Sequence, residues 1–416
     1  MFPHLDSDAA GQGPFAGLLI ADFGRVLAAP YCTMLLADLG ATVIKVESPL
    51  GDETRSWTPP EYHGESAYFL SVNRNKQSVV LDFSDPEDLR LAHRLAARAD
   101  VVVENFKPGG LRRFGLDYGS VIADNPEVIY ASITGFGTAE TAALPGYDLL
   151  VQALSGLMDL TGSPSTEGFR SGVAIFDVIT GLHTGIAIVT ALYHRLRTGQ
   201  GQRIELNLMA SALSGLVNQT GGYLLTGQSP VRLGNDHPSI YPYAPFPTAE
   251  GTLILAVGND AQFRAFCGAA GLDRLLADTR FSSNAARSVN RDALRPLLVE
   301  RLTTRSADEW FREFSAAGVP CAPILTVAGG IDFARRIGLD PVVTVGEGER
   351  ALPTIRNPIR FSETPACYAA APPFLDQDGE AIRAWLRSLD TGPEHAGATT
   401  VPSASHSALT PKGSAQ

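Results

Sequence analysis

One carboxylate in this sequence stands where it could act as a nucleophile. Asp177 interrupts the apolar run GVAIFDVITG (172–181), and a long helical pattern follows it. Its oxygens could accept backbone N–H groups of the first helical turn, as an N-cap does. The positive end of a helix would also keep the carboxylate ionised among apolar neighbours and available to attack an acyl group. The local sequence does not separate the cap from the nucleophile.

Basic and amide side chains beside predicted strand ends form a second candidate site. Arg74 and Lys76 precede one strand, and Asn105, Lys107 and Arg113 follow another. Ligands of parallel α/β sheets bind beyond the carboxyl ends of the strands, and Lys and Arg suit phosphate groups. A solvated loop would show the same residues, so both interpretations stay open at this point.

Other kinds of catalytic or cofactor site find little support. The segment GFGTAE (135–140) follows a strand but lacks the third glycine of a dinucleotide fingerprint. The histidines form no HExxH motif, and there is no GxSxG nucleophile elbow. The 4 cysteines are scattered without CxxC spacing, as expected of reduced thiols. We therefore expect no metal site and no permanently bound cofactor.

The order of the predicted elements positions these residues. Strand patterns alternate with helical ones, which predicts an α/β fold whose parallel sheet is covered on both faces. The predicted strands of this sheet span 18–23, 41–47, 78–83, 101–105 and 128–137. A long helical region over about 178–226, broken by a turn at 198–201, follows them. A strand at 252–258 and charged helices up to about 317 then indicate a second, smaller domain.

Length and charge bound the class of protein. A chain of 416 residues is too long for one ordinary core, so two domains are expected. The net charge of −11 argues against a nucleic-acid partner or an anionic membrane surface. The longest apolar stretch, 185–193, is far short of the ~20 residues that cross a bilayer, and the first residues do not read as a secretory signal. We expect a cytoplasmic protein with no membrane association.

Several segments together resemble one enzyme family, the class III CoA-transferases (CaiB/BaiF family), which includes formyl-CoA transferase and carnitine CoA-transferase. The resemblance runs in order from about residue 16 to about residue 375. The matching stretches are VLAAPYCTMLLADLGATVIKVESPLGDETR, NRNKQSVVLDF, ADVVVENFKPGGLRRFGLDY, GYDLLVQALSGLMDLTG, SGVAIFDVITGLHTGIAIVTALYHRLRTGQGQRIELNL, AAGVPCAPI and NPIRFSETP. An ordered set of this extent is far more specific than any single motif.

The resemblance implies how the chain is organised. It implies a large Rossmann-like domain that binds CoA, a smaller second domain, and a homodimer in which two chains interlock like links. We accordingly predict the large domain at 15–215, a linker and the small domain at 216–330, and a return segment packing on the large domain at 331–390. The tail at 391–416 is polar and poor in large hydrophobic residues, and is predicted to be disordered.

The resemblance also assigns roles to residues. It implies that Asp177 is the catalytic aspartate and that the turn VLAAP (26–30) lines the thioester site. It further implies a loop at Gly258 that closes over the active site in many members. The predicted CoA-binding residues are Val26, Arg74, Lys76, Asn105, Lys107 and Arg113. The predicted supporting residues are Tyr147, Asp148, Leu27, Ala28, Gly258 and Asn259.

This sequence departs from the family pattern at three positions. Leu27 stands where formyl-CoA transferase has a glutamine in the thioester turn. The usual run of glycines in the closing loop is reduced to Gly258. Ser48 stands where formyl-CoA transferase has an arginine beside the CoA nucleotide. Because that cation is missing, we expect Arg74 or Lys76 to substitute for it.

The chemistry that the resemblance implies starts at Asp177. This carboxylate would attack the acyl-CoA carbonyl to give a mixed anhydride and the CoA thiolate, which would then form an aspartyl-CoA thioester. An incoming carboxylate would reverse both steps, so neither ATP nor a metal is needed. Backbone N–H groups of the VLAAP turn or of the Gly258 loop would be the candidate oxyanion donors.

Two alternatives to the transferase are compatible with the same fold. The same fold hosts α-methylacyl-CoA racemases, whose second proton-transfer group is a histidine in a Gly-His-Asp motif. Here that motif reads Gly146-Tyr147-Asp148, and a tyrosine with a pKa near ~10 is a poor replacement for imidazole. Asp148 is then a supporting group near Asp177. A CoA-binding homologue without activity is disfavoured by the complete context of Asp177. The acyl donor and the acceptor acid stay open.

Overall fold

The computed structural model describes residues 13–139 and 144–389, and the predicted tail at 391–416 lies outside them. In chain order the strands are β1 (Leu19–Asp22), β2 (Thr42–Glu47), β3 (Glu61–Tyr62), β4 (Glu65–Ser66), β5 (Lys76–Val80), β6 (Val101–Glu104), β7 (Ile129–Thr134), β8 (Gln202–Asn207), β9 (Tyr243–Pro247), β10 (Thr252–Ala256), β11 (Cys321–Pro323), β12 (Val342–Val345) and β13 (Leu352–Ile355).

The helices alternate with these strands in the first half of the chain and dominate the second half. In chain order they are α1 (Ala28–Asp38), α2 (Ala67–Val72), α3 (Pro86–Arg98), α4 (Tyr118–Asp124), α5 (Asp148–Leu154), α6 (Leu157–Leu160), α7 (Ile175–Thr198), α8 (Leu208–Gly215), α9 (Asn218–Thr226), α10 (Asp260–Ala270), α11 (Asn284–Val289), α12 (Arg291–Leu302), α13 (Ala307–Ala316), α14 (Val327–Arg336) and α15 (Gly379–Ser388).

A six-stranded parallel sheet forms the centre of the first half, in the order β5-β2-β1-β6-β7-β8. The inner strands β1, β6 and β7 are short, mostly apolar and fully buried, as strands covered by helices on both faces must be. Separate hydrophobic clusters lie on the two sides of the sheet. The predicted α/β class with a parallel sheet is therefore confirmed.

The sixth strand of this sheet corrects the predicted helical region over 178–226. After α7 the chain turns at Gly199, whose φ is 71°, and then forms β8 beside β7. This strand lies at the edge of the sheet, so alternate residues such as Arg203 and Glu205 face solvent. Its charged, half-exposed sequence lacks the apolar run that marks a buried strand, which is why the pattern was mistaken for helix.

The second half of the chain builds its own core. An antiparallel sheet in the order β11-β10-β9 packs against α10, α12 and α13. Large aromatic side chains fill the space between them, with Phe246, Phe266, Trp310 and Phe314 completely buried.

The segment after this core returns to the first sheet. Helix α15 packs on α3 and β5, and its Ile382 and Leu386 join one of the sheet's hydrophobic clusters. The carboxylates of Asp376 and Asp378 accept hydrogen bonds from the backbone of edge strand β5, at Val80 N (2.7 Å) and Ser78 N (2.9 Å). The return segment thus covers the outer edge of the parallel sheet.

Helix α7 is 24 residues long and extends well beyond the apolar stretch at 185–193. In the described part of the chain it is the one helix long and apolar enough to cross a membrane. One stripe of the helix packs inside the protein through Phe176, Gly181, Thr184 and Ile188. The opposite stripe is apolar and exposed, and consists of Leu182, Ile186, Val189, Tyr193 and Leu196.

Candidate active site

Asp177 lies in the first turn of α7, and it is not the cap of that helix. The helix begins at Ile175, and Ala174 before it offers no side-chain cap. The cap comes instead from Asp148, whose Oδ1 accepts hydrogen bonds from Phe176 N (2.8 Å) and Asp177 N (3.3 Å). The predicted N-cap role of Asp177 is therefore wrong, because a residue distant in sequence performs it. The carboxylate of Asp177 is thus available to react with a substrate.

Gln152 holds Asp148 in this position. Its Nε2 donates to Asp148 Oδ2 over 2.5 Å, and its Oε1 accepts from Ser171 N over 2.8 Å. Gln152 is almost completely buried, so these bonds replace contacts with water and must all be made. The side chain joins α5 to the segment that leads into α7. Sequence reasoning missed this residue, although its spacing of four from Asp148 on one helix was a usable signal.

The protonation of Asp177 differs from the sequence-based expectation. Asp177 is half-buried, and burial together with the negative charge of Asp148 raises its pKa from 3.8 to about 7. The expected effect of the helix terminus, which would keep the carboxylate ionised, is outweighed by these two causes. Near neutral pH the group exchanges between acid and carboxylate.

The predicted thioester turn lies beside Asp177. Gly181 is one helical turn further along α7, and a Cβ there would come within 2.7 Å of Ala28 O. Because residues i and i+4 share one face of a helix, Asp177 lies on the face of α7 that meets the start of α1. Leu27 precedes α1 without any side-chain cap. The first N–H groups of α1 can therefore bind an oxyanion.

The turn itself is held in a strained conformation. Val26 has a φ of 66°, which a β-branched residue rarely adopts. Its N–H donates to the carboxylate of Asp52 (3.2 Å to Oδ2), and Asp52 is paired with the buried Lys45 at 2.9 Å. Such strain persists only where surrounding contacts fix the backbone. The buried ion pair supplies one of those contacts.

Tyr68 of α2 also belongs to this site, and no pattern in the sequence points to it. Burial raises its pKa to about 12, with further contributions from the negative charges of Asp177, Asp148 and Asp52. Its ring packs edge-on against Trp57, with 5.1 Å between the ring centroids. A neutral hydroxyl is thus held near three carboxylates. Tyr147 is less engaged, since its side chain is 55% exposed where it precedes α5.

A cavity of about 350 Å³ opens beyond the carboxyl ends of β1, β2, β5 and β6. The predicted CoA ligand Arg113 lies in its wall, together with Ser48. The rings of Phe83, Phe106 and Phe114 supply apolar surface, and Arg25 adds a second guanidinium. Aromatic faces and cations in one cleft suit a nucleotide that carries phosphates.

Lys107 is not part of this cavity. It lies on the other side of the loop after β6, in a second cavity of about 380 Å³ that also contains Glu104 and Arg203. The structure therefore separates Lys107 from Arg113. In the described residues no group of three or more His, Cys, Asp and Glu side chains is arranged to hold a metal.

Comparison with known proteins agrees with this arrangement. The sequence profile described as CoA-transferase family III matches residues 15–379. This chain belongs to that family.

Two curated transferases and one solved structure illustrate the similarity. The succinate–glutarate CoA-transferase of Agrobacterium fabrum is 40% identical over 91% of this chain and 96% of its own length. The succinyl-CoA:glutarate CoA-transferase of Mus musculus is 38% identical over 93% of this chain and 89% of its own. A CaiB/BaiF family protein from Brucella suis matches with a TM-score of 0.83 and 44% identity, over 90% of this chain and all of that one. Transfer of CoA between an acyl-CoA and a free acid is the activity of this transferase.

Two of the predicted CoA ligands are buried in the transferase. Arg74 is 3% exposed and pairs with Asp38 at 2.6 Å. Lys76 is also 3% exposed, and its Nζ contacts Asp22 (3.1 Å) and the carbonyl of Pro30 (2.9 Å). Their charges are already neutralised inside the protein. The prediction that either replaces the cation missing at Ser48 is wrong.

The closing loop is not assembled at Asp177. Asn259 is the N-cap of α10, and its Oδ1 accepts from Gln262 N over 2.9 Å. The N–H of Gly258 donates to Gln262 Oε1 over 2.7 Å. Among the hydrogen bonds of residues 13–139 and 144–389, none joins Gly258 or Asn259 to Asp177. Their predicted role in the transferase stays a prediction.

The side chain of Asn105 forms hydrogen bonds with both the backbone N–H and the backbone C=O of Arg25. Its Oδ1 accepts from Arg25 N over 2.8 Å, and its Nδ2 donates to Arg25 O over 2.7 Å. The amide oxygen and the amide nitrogen each make one hydrogen bond within the transferase. Its predicted contact with CoA stays untested, and its visible task is to fix the chain just before Val26.

Proposed function

We propose that this CoA-transferase moves coenzyme A between dicarboxylic acids of about four or five carbons, with Asp177 as its covalent nucleophile. Both curated relatives described above are named for succinate or succinyl-CoA together with glutarate, which supports this acid class. The assignment of Asp177 as the nucleophile rests on its free carboxylate, which lies beside the uncapped start of α1.

The reaction divides into two transfers of the same kind. Asp177 attacks the thioester carbonyl of the donor and expels CoA thiolate, which leaves an acyl-aspartyl anhydride. The thiolate then attacks the Asp177 carbonyl carbon, releases the donor acid and forms aspartyl-CoA. The acceptor acid attacks this thioester to give a second anhydride and thiolate, and the thiolate takes the acceptor acyl group and frees Asp177. Holding the reactants together contributes about 7 kcal/mol or more to each step.

The start of α1 serves the tetrahedral intermediates in this scheme. Each attack places negative charge on a carbonyl oxygen, and backbone N–H groups aimed at that oxygen stabilise the charge. Leu27 and Ala28 stand where these donors are free of a side-chain cap. The contact at Gly181 keeps them beside Asp177.

The hydrogen bonds of Asp148 support the transferase over the racemase of the same fold. Both of its carboxylate oxygens already accept bonds, one from α7 and the other from Gln152. These bonds fix Asp148 as part of the structure around Asp177, which supports a supporting role for it rather than that of a base. Tyr147, which stands where the racemases have a histidine, fits imidazole chemistry poorly.

The proposed working form is a cytoplasmic homodimer with no membrane association. The exposed apolar stripe of α7 is the kind of surface that an obligate partner chain covers. The opposite stripe of the same helix packs on α1 within the protein. A helix surrounded by lipid would not have this contact. The Gly258 loop could then approach an active site from a partner chain.

A direct test offers succinyl-CoA with a panel of acids and identifies each product thioester by mass spectrometry. Glutarate should give glutaryl-CoA with one equivalent of succinate, and acetate should give little product. The same reaction in deuterium oxide should leave the α-carbon unlabelled. Transfer confined to monocarboxylic acids would overturn the proposed acid class, and α-deuteration without transfer would overturn the proposed mechanism.

A further inference from the structure

We infer that Arg25 binds the phosphate groups of the CoA substrate in this chain, and that Asn105 serves by holding Arg25 in place. This inference rests on the proposed function, because it concerns the nucleotide end of the same thioester. It assigns the missing cation beside Ser48 to a residue that the sequence did not single out.

The cavity that contains Arg25 has an excess of positive charge. Two of the three acids in its wall are paired with cations, since Glu47 pairs with Arg55 at 2.6 Å and Asp52 pairs with Lys45 at 2.9 Å. Asp82 accepts hydrogen bonds from the Ser84 backbone and hydroxyl, which leave its negative charge in place. Within the described residues neither Arg25 nor Arg113 forms an ion pair. The cavity therefore presents two unpaired guanidinium groups against one unpaired carboxylate, an excess of positive charge.

The backbone of Arg25 is fixed by its neighbours. Strands β1 and β6 are parallel neighbours in which Asp22 lies opposite Val103. Arg25 and Phe106 each follow three residues after this pair, so they leave the two strands side by side. The two hydrogen bonds from the Asn105 amide extend this pairing by one step beyond the strands. The backbone of Arg25 is thus held although its side chain is exposed.

The side chain of Arg25 is oriented by an aromatic ring. The guanidinium carbon of Arg25 lies 5.0 Å from the centroid of the Phe106 ring. Stacking on an aromatic face restricts a guanidinium while leaving its N–H groups free for an anion. The rings of Phe83 and Phe114 meet edge to face at 5.3 Å in the same cavity. A flat base and a phosphate chain can therefore bind side by side.

The second cavity lacks this pattern and offers a matched control. Arg112 is adjacent to Arg113 in sequence but points into the cavity that also holds Glu104 and Asp117. Its surroundings carry both signs of charge. A change from Arg112 to Gln removes one exposed cation from the same loop without altering the cavity that contains Arg25.

The test compares two thioesters with the same acyl group, succinyl-CoA and succinyl-pantetheine, which lacks the nucleotide. For Arg25→Gln we expect the KM for succinyl-CoA to rise about tenfold or more, because a charged hydrogen bond to phosphate is lost. The kcat with succinyl-CoA and the kcat/KM with succinyl-pantetheine should not change. Arg25→Lys should recover part of the loss, and Arg112→Gln should match the wild type. Equal effects on both thioesters, or no effect on either, would overturn the inference.

Binding of adenosine 3′,5′-diphosphate, measured by calorimetry, tests the inference without turnover. Arg25→Gln should weaken binding about tenfold or more and reduce its salt dependence. Asn105→Ala should weaken it less, and should add little in the double variant if it acts through Arg25. Fully additive effects would overturn the role of Asn105. If the wild type binds this probe but transfers no CoA, the proposed function fails while the inference stands.

Discussion

Asp148 and Asp177 divide two tasks that one aspartate could have performed. Asp148 satisfies the N–H groups at the start of α7, and Asp177 keeps its oxygens for the substrate. Burial is the larger cause of the raised pKa of Asp177, and the negative charge of Asp148 raises it further. Asp148 therefore positions the nucleophile and also contributes to its protonation.

Replacing the nucleophile should abolish transfer without abolishing binding. Asp177→Asn keeps the size of the side chain but cannot form the anhydride, so we expect kcat to fall on the order of a thousandfold or more. Binding of CoA, followed by calorimetry, should remain close to that of the wild type. Asp159→Asn, at an exposed carboxylate paired with Arg232, is a suitable control. Substantial turnover by Asp177→Asn would contradict the covalent mechanism.

The pH dependence should report the pKa of Asp177. The reactive form is the carboxylate, so kcat/KM should rise with pH through a midpoint near about 7. Asp148→Asn retains an acceptor oxygen for the helix but removes the negative charge. Because that charge raises the pKa, the midpoint should move to lower pH in this variant, while Asp159→Asn should leave it in place. A midpoint that does not move would show that Asp148 exerts no electrostatic effect.

At the scale of elements, the site depends on how closely α1 and α7 approach each other. Gly181 permits this contact, since any side chain there would press on the carbonyl of Ala28. The group that approaches Gly181 is thus a backbone carbonyl. The thioester turn and the nucleophile are positioned by one helix crossing.

A pair of glycine substitutions on α7 tests this crossing. Gly181→Ala places a Cβ 2.7 Å from Ala28 O and should lower kcat while costing about 1–3 kcal/mol of unfolding free energy. Gly185→Ala, one turn further on, would meet only Cys32 Sγ at 3.8 Å. It should be neutral or stabilising by up to about 1 kcal/mol, because alanine favours the helix. Thermal unfolding and steady-state kinetics measure both effects. Equal changes in unfolding free energy and kcat for the two variants would contradict the proposed contact between α7 and α1.

The elements that the sequence predicted well are those with long, clear patterns. The inner strands are continuous apolar runs, and α7 is a long helix ended by glycine, so both were visible without coordinates. Strand β8 was missed because an edge strand alternates charged and half-buried residues. The cap of α7 was misassigned because Asp148 acts across 28 positions of sequence, and local patterns contain no information about such contacts.

At the scale of the whole molecule, the family and its chemistry could be predicted from the sequence, but of the cations predicted to bind CoA only Arg113 lies in the cavity that contains Ser48. Arg74 and Lys76 look like surface cations in the sequence. Burial and pairing with acids, which only the fold determines, remove them from the site. Arg25 shows the reverse case, since two strands must come together before its position in the cavity is apparent.

The exposed stripe of α7 should decide the oligomeric state. Ile186 is 66% exposed at its centre, and Ile186→Glu would place a charge in the proposed dimer interface. We expect this variant to be monomeric by light scattering and to lose activity, because burying an unpaired carboxylate is costly. Ile186→Val keeps the surface apolar and should remain dimeric. A dimer that survives Ile186→Glu would contradict the assignment of this stripe.

The return segment has a consequence for self-association. Edge strands with free N–H groups act as templates for strands of other molecules. Here Asp376 and Asp378 occupy the N–H groups of Val80 and Ser78, and α15 covers the same border. The last segment of the described chain thus prevents strands of other molecules from pairing with this edge of the sheet and forming larger aggregates. A chain shortened before Asp376 would leave these N–H groups of β5 unpaired. We expect it to accumulate as insoluble protein even though its catalytic residues are intact.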